Sequence, residues 1–240
     1  MNMKRRRAIA VFCISTIVLA VLGAAAPQLI EESFPSIVQQ PAEPVDTPLS
    51  DTTTPASGEA SGALETLVVK GRASKAGYER SQFGSGWATV NGCSTRDIIL
   101  NRDLMNVQLE GECKVVSGTL RDPYTATTIQ FSKESSSSVQ IDHVVALSDA
   151  WQKGAQNLSA AQRKQLANDP LELIAADGPA NQQKGDGDAA TWLPKNKAFR
   201  CEYVARQIAV KVTYALWVTP AEKDAMSSVL AACPNQLLPQ

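Results

Sequence analysis

The residue types that could do chemistry meet in the stretch 139–147, where Asp142 and His143 stand side by side. His143 is the only histidine of the chain, and a neutral imidazole, with its ordinary pKa of about 6.5, can accept a proton at physiological pH. More polar residues follow downstream, at Asn181, Lys184 and Asp186. The set therefore combines a general base with oxygen ligands for a cation. A lone histidine in an apolar stretch is also commonly a packing residue, and that structural interpretation stays open.

The β-branched residues around Asp142 and His143 predict a β-strand. Side chains alternate between the two faces of a strand, so these neighbours would diverge in a regular one. They can serve one site only where the strand ends or bulges. Residues 147–151 look like the start of a helix, so a strand end at this point is a consistent prediction.

Local patterns predict the elements that surround this strand: a helix from Ser94, β-structure with a hairpin over 106–132, a helix over 159–168, a strand over 171–175, and helices over 177–184, 197–217 and 220–233. Glu172 and Ile174 would share one face of the predicted strand 171–175. Asn181 and Lys184 are three residues apart, which places them on one face of the helix over 177–184. The mixture of elements predicts an α+β fold.

Two further features are candidates for contact with a substrate. Arg96 lies in the first turn of its predicted helix, where the helix dipole disfavours a cation. A nearby carboxylate or phosphate would explain this position, and so would ordinary surface exposure. Residues 78–87 form a glycine-punctuated loop with Tyr78, Phe83 and Trp87, which either lines a groove or plugs the core; the core is the favoured interpretation.

Length and charge set limits on the class of protein. The 240 residues leave room for one domain plus extensions, and 44% hydrophobic with 20% charged residues is typical of a globular chain. The net charge of −1 excludes a protein-wide basic field, and within residues 63–240 Lys and Arg exceed Asp and Glu by one. Any polyanion must therefore be bound by a local patch.

The N-terminus carries an export pattern. Basic residues at positions 4–7 precede an apolar run over residues 8–26. This is typical of a signal peptide, and the run is also long enough to be a membrane anchor; both alternatives predict that residues 27–240 face outward. Residues 27–62, rich in Pro, Thr and Ser, predict a disordered linker before a folded domain over 63–240. The predicted location is secreted, or on the extracellular face of the membrane.

Four cysteines lie beyond the export segment, at Cys93, Cys113, Cys201 and Cys233. An even number of widely spaced cysteines in an exported chain predicts two disulfides, and the absence of a Cys-x-x-Cys pair counts against a zinc site. Three pairings are possible. Cys93–Cys113 and Cys201–Cys233 are favoured because each would tie neighbouring elements, at about 3 kcal/mol apiece through restriction of the unfolded chain.

Three blocks of the sequence together resemble a known family: IDHVVALSDAW at 141–151, LANDPL at 166–171 and DGPANQQKGD at 177–186. Their order is similar to the ββα-metal finger of HNH nucleases. It is most similar to exported proteins with a GmrSD-type restriction endonuclease C-terminal-like domain, over about residues 78–233.

This resemblance implies roles for particular residues. Asp142 and Asn181 match ligands of a divalent metal, most readily Mg²⁺ with Mn²⁺ as the alternative, and His143 matches the general base. Lys184, and also Arg96, would contact substrate phosphates. Glu172 stands where the family pattern has an Asn that orients the base. Glu172 would accept a hydrogen bond from the imidazole, or act as an additional metal ligand. Alternatively, its presence would weaken the activity, and Asn168 would take the place of the missing Asn.

The sequence thus predicts an α+β protein: an HNH-like ββα-metal core with an N-terminal helix, a β-hairpin, two C-terminal helices and two disulfides. The predicted function is that of an extracellular metal-dependent endonuclease acting on DNA, with RNA as an alternative substrate. A catalytically silent cell-surface or nucleic-acid-binding module is the competing prediction. No feature indicates a protein partner, and membrane contact would come only through an uncleaved N-terminal segment.

Overall fold

The computed structural model describes residues 58–239. The predicted export segment and the linker up to residue 57 lie outside these residues. The first helix begins at Ala60, before residue 63, where the sequence predicted the domain to start. None of the helices in the described range is both long and apolar enough to cross a membrane.

The described residues form seven α-helices: α1 Ala60–Thr66, α2 Thr95–Asp103, α3 Leu147–Gln152, α4 Ala160–Leu166, α5 Gly178–Lys184, α6 Arg200–Thr213 and α7 Pro220–Leu230. Their N-termini follow from residue type. The side chains of Ser94, Ser159 and Asp177 accept hydrogen bonds from the first turns of α2, α4 and α5, as predicted. The long helix predicted over 197–217 is shorter, because a 3₁₀ turn at Lys197–Phe199 precedes it and Ala215, with φ of 50°, follows its end.

The strands form small antiparallel sheets: β1 Thr89–Val90 with β2 Cys93–Ser94, then β3 Leu104–Glu110, β4 Lys114–Arg121 and β5 Thr128–Ser132, and finally β6 Val139–His143 with β7 Leu173–Asp177. β4 and β5 are the predicted hairpin. β7 starts later than the predicted strand over 171–175, so Glu172 precedes the strand and does not share a strand face with Ile174. The fold class is α+β, as predicted.

The predicted disulfides are both present, and each joins neighbouring elements. Cys93–Cys113 connects β2 to the turn between β3 and β4. Cys201–Cys233 connects the first turn of α6 to the segment after α7. The bridges therefore stabilise two separate parts of the described domain.

Two hydrophobic clusters meet at the β6–β7 sheet. Ile174 and Ala176 belong to the cluster under α1, α3, α6 and α7, whereas Leu173 and Ala175 belong to the cluster between α2 and the β3–β5 sheet. Alternation along β7 thus buries both of its faces, which explains the near-continuous apolar sequence. The two-stranded sheet is held from both sides and makes a rigid base for side chains at its ends.

An ion network of five buried side chains and the more exposed Arg72 joins the helices behind this sheet. It contains three cations and three carboxylates: Arg72, Lys153, Lys211, Asp149, Asp188 and Glu222. The ammonium of Lys153 lies 2.8 Å from both Asp149 and Asp188, and that of Lys211 lies 3.0 Å from Glu222. The network ties the segment after α1 to α3, α6, α7 and the loop after α5.

Candidate active site

The site is built where β6, β7 and α5 follow one another in space. β6 and β7 are antiparallel, with His143 opposite Leu173 and Val139 opposite Asp177. Asp177 ends β7 and caps α5, so the helix starts next to the beginning of β6 and runs back along it. The arrangement is strand, strand, helix, and it brings residues 142–143 close to residues 181–184.

β6 ends at His143, as the sequence predicted. The chain turns there because Glu172 holds the next two residues: its carbonyl accepts from the N–H of Val144 at 2.8 Å, and its carboxyl Oε2 accepts from the N–H of Val145 at 3.1 Å. Asp142 and His143 consequently line one cavity although they are adjacent in sequence.

The Asp142 carboxylate is fixed by two donors. The hydroxyl of Tyr124 donates to it at 2.6 Å, and the Lys184 ammonium donates at 3.0 Å. Lys184 also donates to the carbonyl of His143 at 2.7 Å, and its side chain is fully buried. The ammonium of Lys184 is thus engaged by Asp142 and by the His143 carbonyl, and Lys184 is not among the residues that line the cavity. Its contact with a substrate phosphate stays a prediction.

The His143 imidazole is buried and held from two sides. Its Nε2 lies 3.0 Å from the carbonyl of Ala167, and its ring is parallel to the Trp87 indole at 5.9 Å between centroids. Since a carbonyl can only accept, Nε2 carries the proton and Nδ1 keeps the lone pair. Nδ1 forms no hydrogen bond within residues 58–239.

Burial is the main reason that the pKa of His143 is lowered to about 3; the hydrogen bond to Ala167 raises it, and the charges of Arg80 and Lys184 lower it further. The ring is therefore neutral at physiological pH. A neutral imidazole with an unpartnered nitrogen at a cavity wall can accept a proton from a bound water.

Glu172 has a different environment from the one predicted. It is fully buried, its Oε2 accepts from Val145, and its Oε1 has no hydrogen-bond partner in the described residues. Burial raises the pKa of this carboxyl well above its ordinary value. Within the described residues the imidazole is hydrogen-bonded to the Ala167 carbonyl and not to Glu172, which instead holds the turn after β6. The other predicted roles of Glu172, as a metal ligand or as a cause of weaker activity, stay predictions. Asn168, the suggested substitute, instead accepts from the N–H of Ala88 at 2.7 Å.

Asn181 and Arg96 both reach the cavity. The Nδ2 of Asn181 donates to Gln140 at 2.9 Å, which leaves its Oδ1 without a hydrogen-bond partner in the described range. Arg96 lies at the start of α2 with its guanidinium 5.7 Å from the centroid of the Phe131 ring. It forms no ion pair within residues 58–239, so its charge is available to an anion in the cavity.

The cavity has a volume of about 710 Å³. Besides the predicted residues it is lined by Lys75, Tyr78, Arg80 and Trp87, so the loop predicted mainly as a core plug also forms a wall. Phe83 of that loop is buried, in agreement with the core interpretation. Tyr124, Ala167 and Arg80 were missed from the sequence. A backbone carbonyl leaves no signal in residue type, and the other two side chains reach the site only through tertiary contacts.

Oxygen ligands are available at Asp142 and Asn181. Within residues 58–239 no group of three or more His, Cys, Asp or Glu side chains converges as a metal site. A cation held by Asp142 and Asn181 would take further ligands from water, a pattern that Mg²⁺ accepts and structural zinc does not.

Comparison with known proteins gives the class of this fold and site. Residues 94–229 match the family described as GmrSD restriction endonucleases, C-terminal domain. The matched range contains Asp142, His143 and Asn181, so the class is a nuclease-related domain. The match covers more than half of the chain, and the protein belongs to this family.

A relative of known location is similar to most of this chain. It is an uncharacterized secreted protein of Arthroderma benhamiae, 39% identical over 193 residues, which cover 79% of this chain and 91% of the relative. No solved structure matches the chain. The protein is secreted, which agrees with the export pattern at its N-terminus and with its two disulfides.

Proposed function

We propose that this protein is a metal-dependent endonuclease of the HNH type that hydrolyses phosphodiester bonds of DNA, or alternatively of RNA. The observation that carries the proposal is that Asp142, His143 and Asn181 line one cavity although they come from a strand and a helix far apart in the chain. β6, β7 and α5 have the order of a ββα-metal motif. Membership in a family of restriction endonuclease domains supports a nucleic-acid substrate.

The residues present fit a Mg²⁺ ion, with Mn²⁺ as the alternative. The amide oxygen of Asn181 is a hard ligand. Because the Nδ2 of the same amide donates to Gln140, the Oδ1 is the atom left to bind a cation. The Asp142 carboxylate accepts from Tyr124 and Lys184 and retains further lone-pair capacity. The cavity has room for the waters that complete an octahedral shell. When bound, such a cation would neutralise negative charge on the phosphate and on the leaving 3′-oxygen.

His143 acts as the general base. Its Nδ1 accepts the proton of the attacking water, and the hydrogen bond from Nε2 to Ala167 holds the ring in the required tautomer. The imidazole is neutral before substrate binds because its pKa is about 3. A phosphate placed beside the ring favours the imidazolium, which raises the pKa of His143 toward the working pH.

Lys184 and Tyr124 are positioning residues. The Lys184 ammonium donates to the Asp142 carboxylate at 3.0 Å and to the His143 carbonyl at 2.7 Å. It thereby fixes the position of the proposed metal ligand, Asp142, relative to the proposed base, His143. Tyr124 holds the other side of the carboxylate at 2.6 Å. Neither side chain is needed to contact the phosphate.

A catalytically silent binding module is the second candidate. The observation that favours it is the Lys184 ammonium, which already supplies a cation to the carboxylate that would bind the metal. The replacement of the usual Asn by Glu172 favours it as well. Such a module would bind nucleic acid or a cell surface without turnover.

Plasmid cleavage separates the two candidates. The purified protein is incubated with supercoiled plasmid in Mg²⁺, in Mn²⁺ and in EDTA, together with His143→Ala. The endonuclease proposal predicts nicking that requires the metal and is lost in the variant. Binding without any cleavage, or cleavage that is unchanged in His143→Ala, would support the silent module or another catalytic site.

A further inference from the structure

One wall of the cavity comes from outside the family-matched range. The match begins at residue 94, whereas Lys75, Tyr78, Arg80 and Trp87 also line the cavity. The family core alone therefore leaves the cavity incomplete on the side of His143. Segment 75–87 therefore supplies side chains that a ligand in this cavity would contact.

This segment is held rigidly. A 3₁₀ turn spans Arg80–Phe83, and the rings of Tyr78 and Phe83 pack edge-on against Trp151 at 6.2 and 6.4 Å. The guanidinium of Arg163 donates to the carbonyl of Gln82 at 2.9 Å and fixes the turn on α4. A rigid turn presents its side chains in one place, which lowers the entropic cost of binding a ligand.

The glycines after the turn make this geometry possible. Gly84 and Gly86 have φ of 104° and 112°, conformations that residues with a Cβ rarely adopt. They reverse the chain so that Trp87 comes to lie against the His143 ring. Arg80 and Trp87 are thus brought to the same end of the cavity.

Arg80 carries a charge that the described part of the protein does not neutralise. It forms no ion pair within residues 58–239 and is exposed. By contrast, Lys75 in the same cavity is paired with Asp186 at 3.0 Å. Arg80 also lines, together with His143, a smaller adjoining cavity of about 160 Å³.

We propose that Arg80 binds a backbone phosphate of the nucleic acid next to the phosphate that is cleaved, an assignment that rests on the proposed function. Arg80 and Arg96 come from different elements, and both present unpaired guanidiniums to one cavity that also contains the proposed base. Guanidinium groups bind phosphate oxygens through charge-assisted and bidentate hydrogen bonds. The segment 75–87 therefore supplies one of two phosphate contacts.

Binding without turnover tests this assignment. The full-length protein is titrated into a fluorescein-labelled single-stranded DNA of about twelve nucleotides in EDTA, and the anisotropy is recorded at several salt concentrations. The variants are Arg80→Gln, Arg80→Lys and the control Arg121→Gln, which removes an exposed arginine that does not line the cavity. Thermal unfolding verifies that each variant is folded.

The expected result is that Arg80→Gln weakens binding about tenfold and lowers the salt slope by about 0.7, the value of one contact to a single strand. Arg80→Lys retains the slope, and Arg121→Gln binds as the wild type does. Equal binding by Arg80→Gln and Arg121→Gln would overturn the assignment, as would failure of the wild type to bind.

The two proposals fail separately. If Arg80→Gln loses binding and the wild type cleaves in neither Mg²⁺ nor Mn²⁺, the phosphate contact stands and the proposed activity falls. If the wild type cleaves and Arg80→Gln binds and cleaves as Arg121→Gln does, the activity stands and the phosphate contact falls.

Discussion

Two clusters of largely buried charged side chains lie in this protein, and they differ in how completely opposite charges are paired. In the ion network behind the sheet, three cations face three carboxylates at distances such as 2.7 Å for Arg72 to Asp149 and 2.8 Å for Lys153 to Asp188. In the active-site cluster of Asp142, His143, Glu172 and Lys184 the pairing is incomplete, because the Oε1 of Glu172 has no hydrogen-bond partner in the described range. At the edge of this cluster, the Nδ1 of His143 and the Oδ1 of Asn181 form no hydrogen bond within residues 58–239.

The titration behaviour differs in the same way. In the ion network burial would lower the pKa of Lys153, but Asp149 and Glu222 outweigh it and raise the value. In the active-site cluster the effect of burial exceeds that of the neighbouring charges and hydrogen bonds. Burial lowers the pKa of His143 and raises that of Glu172. Paired charges stabilise the fold, whereas unpaired polar groups remain able to bind a ligand or a proton. The comparison supports a stabilising role for the ion network and, under the proposed function, a catalytic role for the active-site cluster.

The largest expected effect is on stability, through the ion network. Lys153→Met leaves three buried carboxylates with two cations, so the free energy of unfolding should fall by about 3–5 kcal/mol. Urea unfolding measures this loss. The control is Lys195→Met, which changes an exposed lysine and should alter stability by less than about 0.5 kcal/mol. Similar small losses in both variants would mean that the network does not brace the fold.

The next effect concerns metal binding at the active-site cluster. Asn181→Ala removes one of two proposed oxygen ligands, so the Mg²⁺ concentration for half-maximal cleavage should rise by at least about tenfold. Its neighbour Gln182 is exposed and also lines the cavity, so Gln182→Ala is the matched control. An identical Mg²⁺ dependence in the two variants would remove Asn181 from the metal site.

The low pKa of His143 has a consequence for acid stability. The folded protein binds this proton only near pH 3, whereas the unfolded chain binds it near 6.5, so stability decreases as the pH falls through this window. Between pH 6.5 and 5 the loss should be about 1.5 kcal/mol. His143→Gln should lose that much less over the same interval in urea unfolding. Parallel pH profiles of the two proteins would show that the imidazole titrates normally.

A smaller effect of opposite sign belongs to Glu172. Its pKa is raised in the folded protein, so folding retains a proton that the unfolded chain releases above about pH 4.5, and stability decreases as the pH rises. Glu172→Gln removes this dependence. The stability of the variant relative to the wild type should therefore rise between pH 5 and pH 8, as measured by urea unfolding. A stability difference that does not change with pH would contradict a raised pKa.

Local sequence signals predicted much of the framework. Side-chain caps at Ser94, Ser159 and Asp177 and the strand end at His143 depend on near neighbours, so residue type sufficed. The pairing Cys201–Cys233 followed because both elements were predicted as adjacent helices. These features are decided within one or two elements of the chain.

The sequence failed where a side chain has a choice of partners across the fold. Helical spacing placed Asn181 and Lys184 on one face, but only the position of Asp142 decides that the lysine is buried and the amide faces the cavity. The acceptor for His143 is the carbonyl of Ala167, and a carbonyl is present at every residue. The ion network could not be predicted from the sequence, because Lys153 and Glu222 come into contact only when α3 and α7 pack together.

The most direct test of the division between the clusters measures metal-dependent plasmid cleavage per folded molecule in His143→Gln and Lys153→Met side by side. His143→Gln should lose at least about a hundredfold in rate and remain folded, because only the base is removed. Lys153→Met should be less stable but cleave at the wild-type rate per folded molecule. Wild-type cleavage by His143→Gln, or an equal loss of rate in fully folded Lys153→Met, would contradict the account.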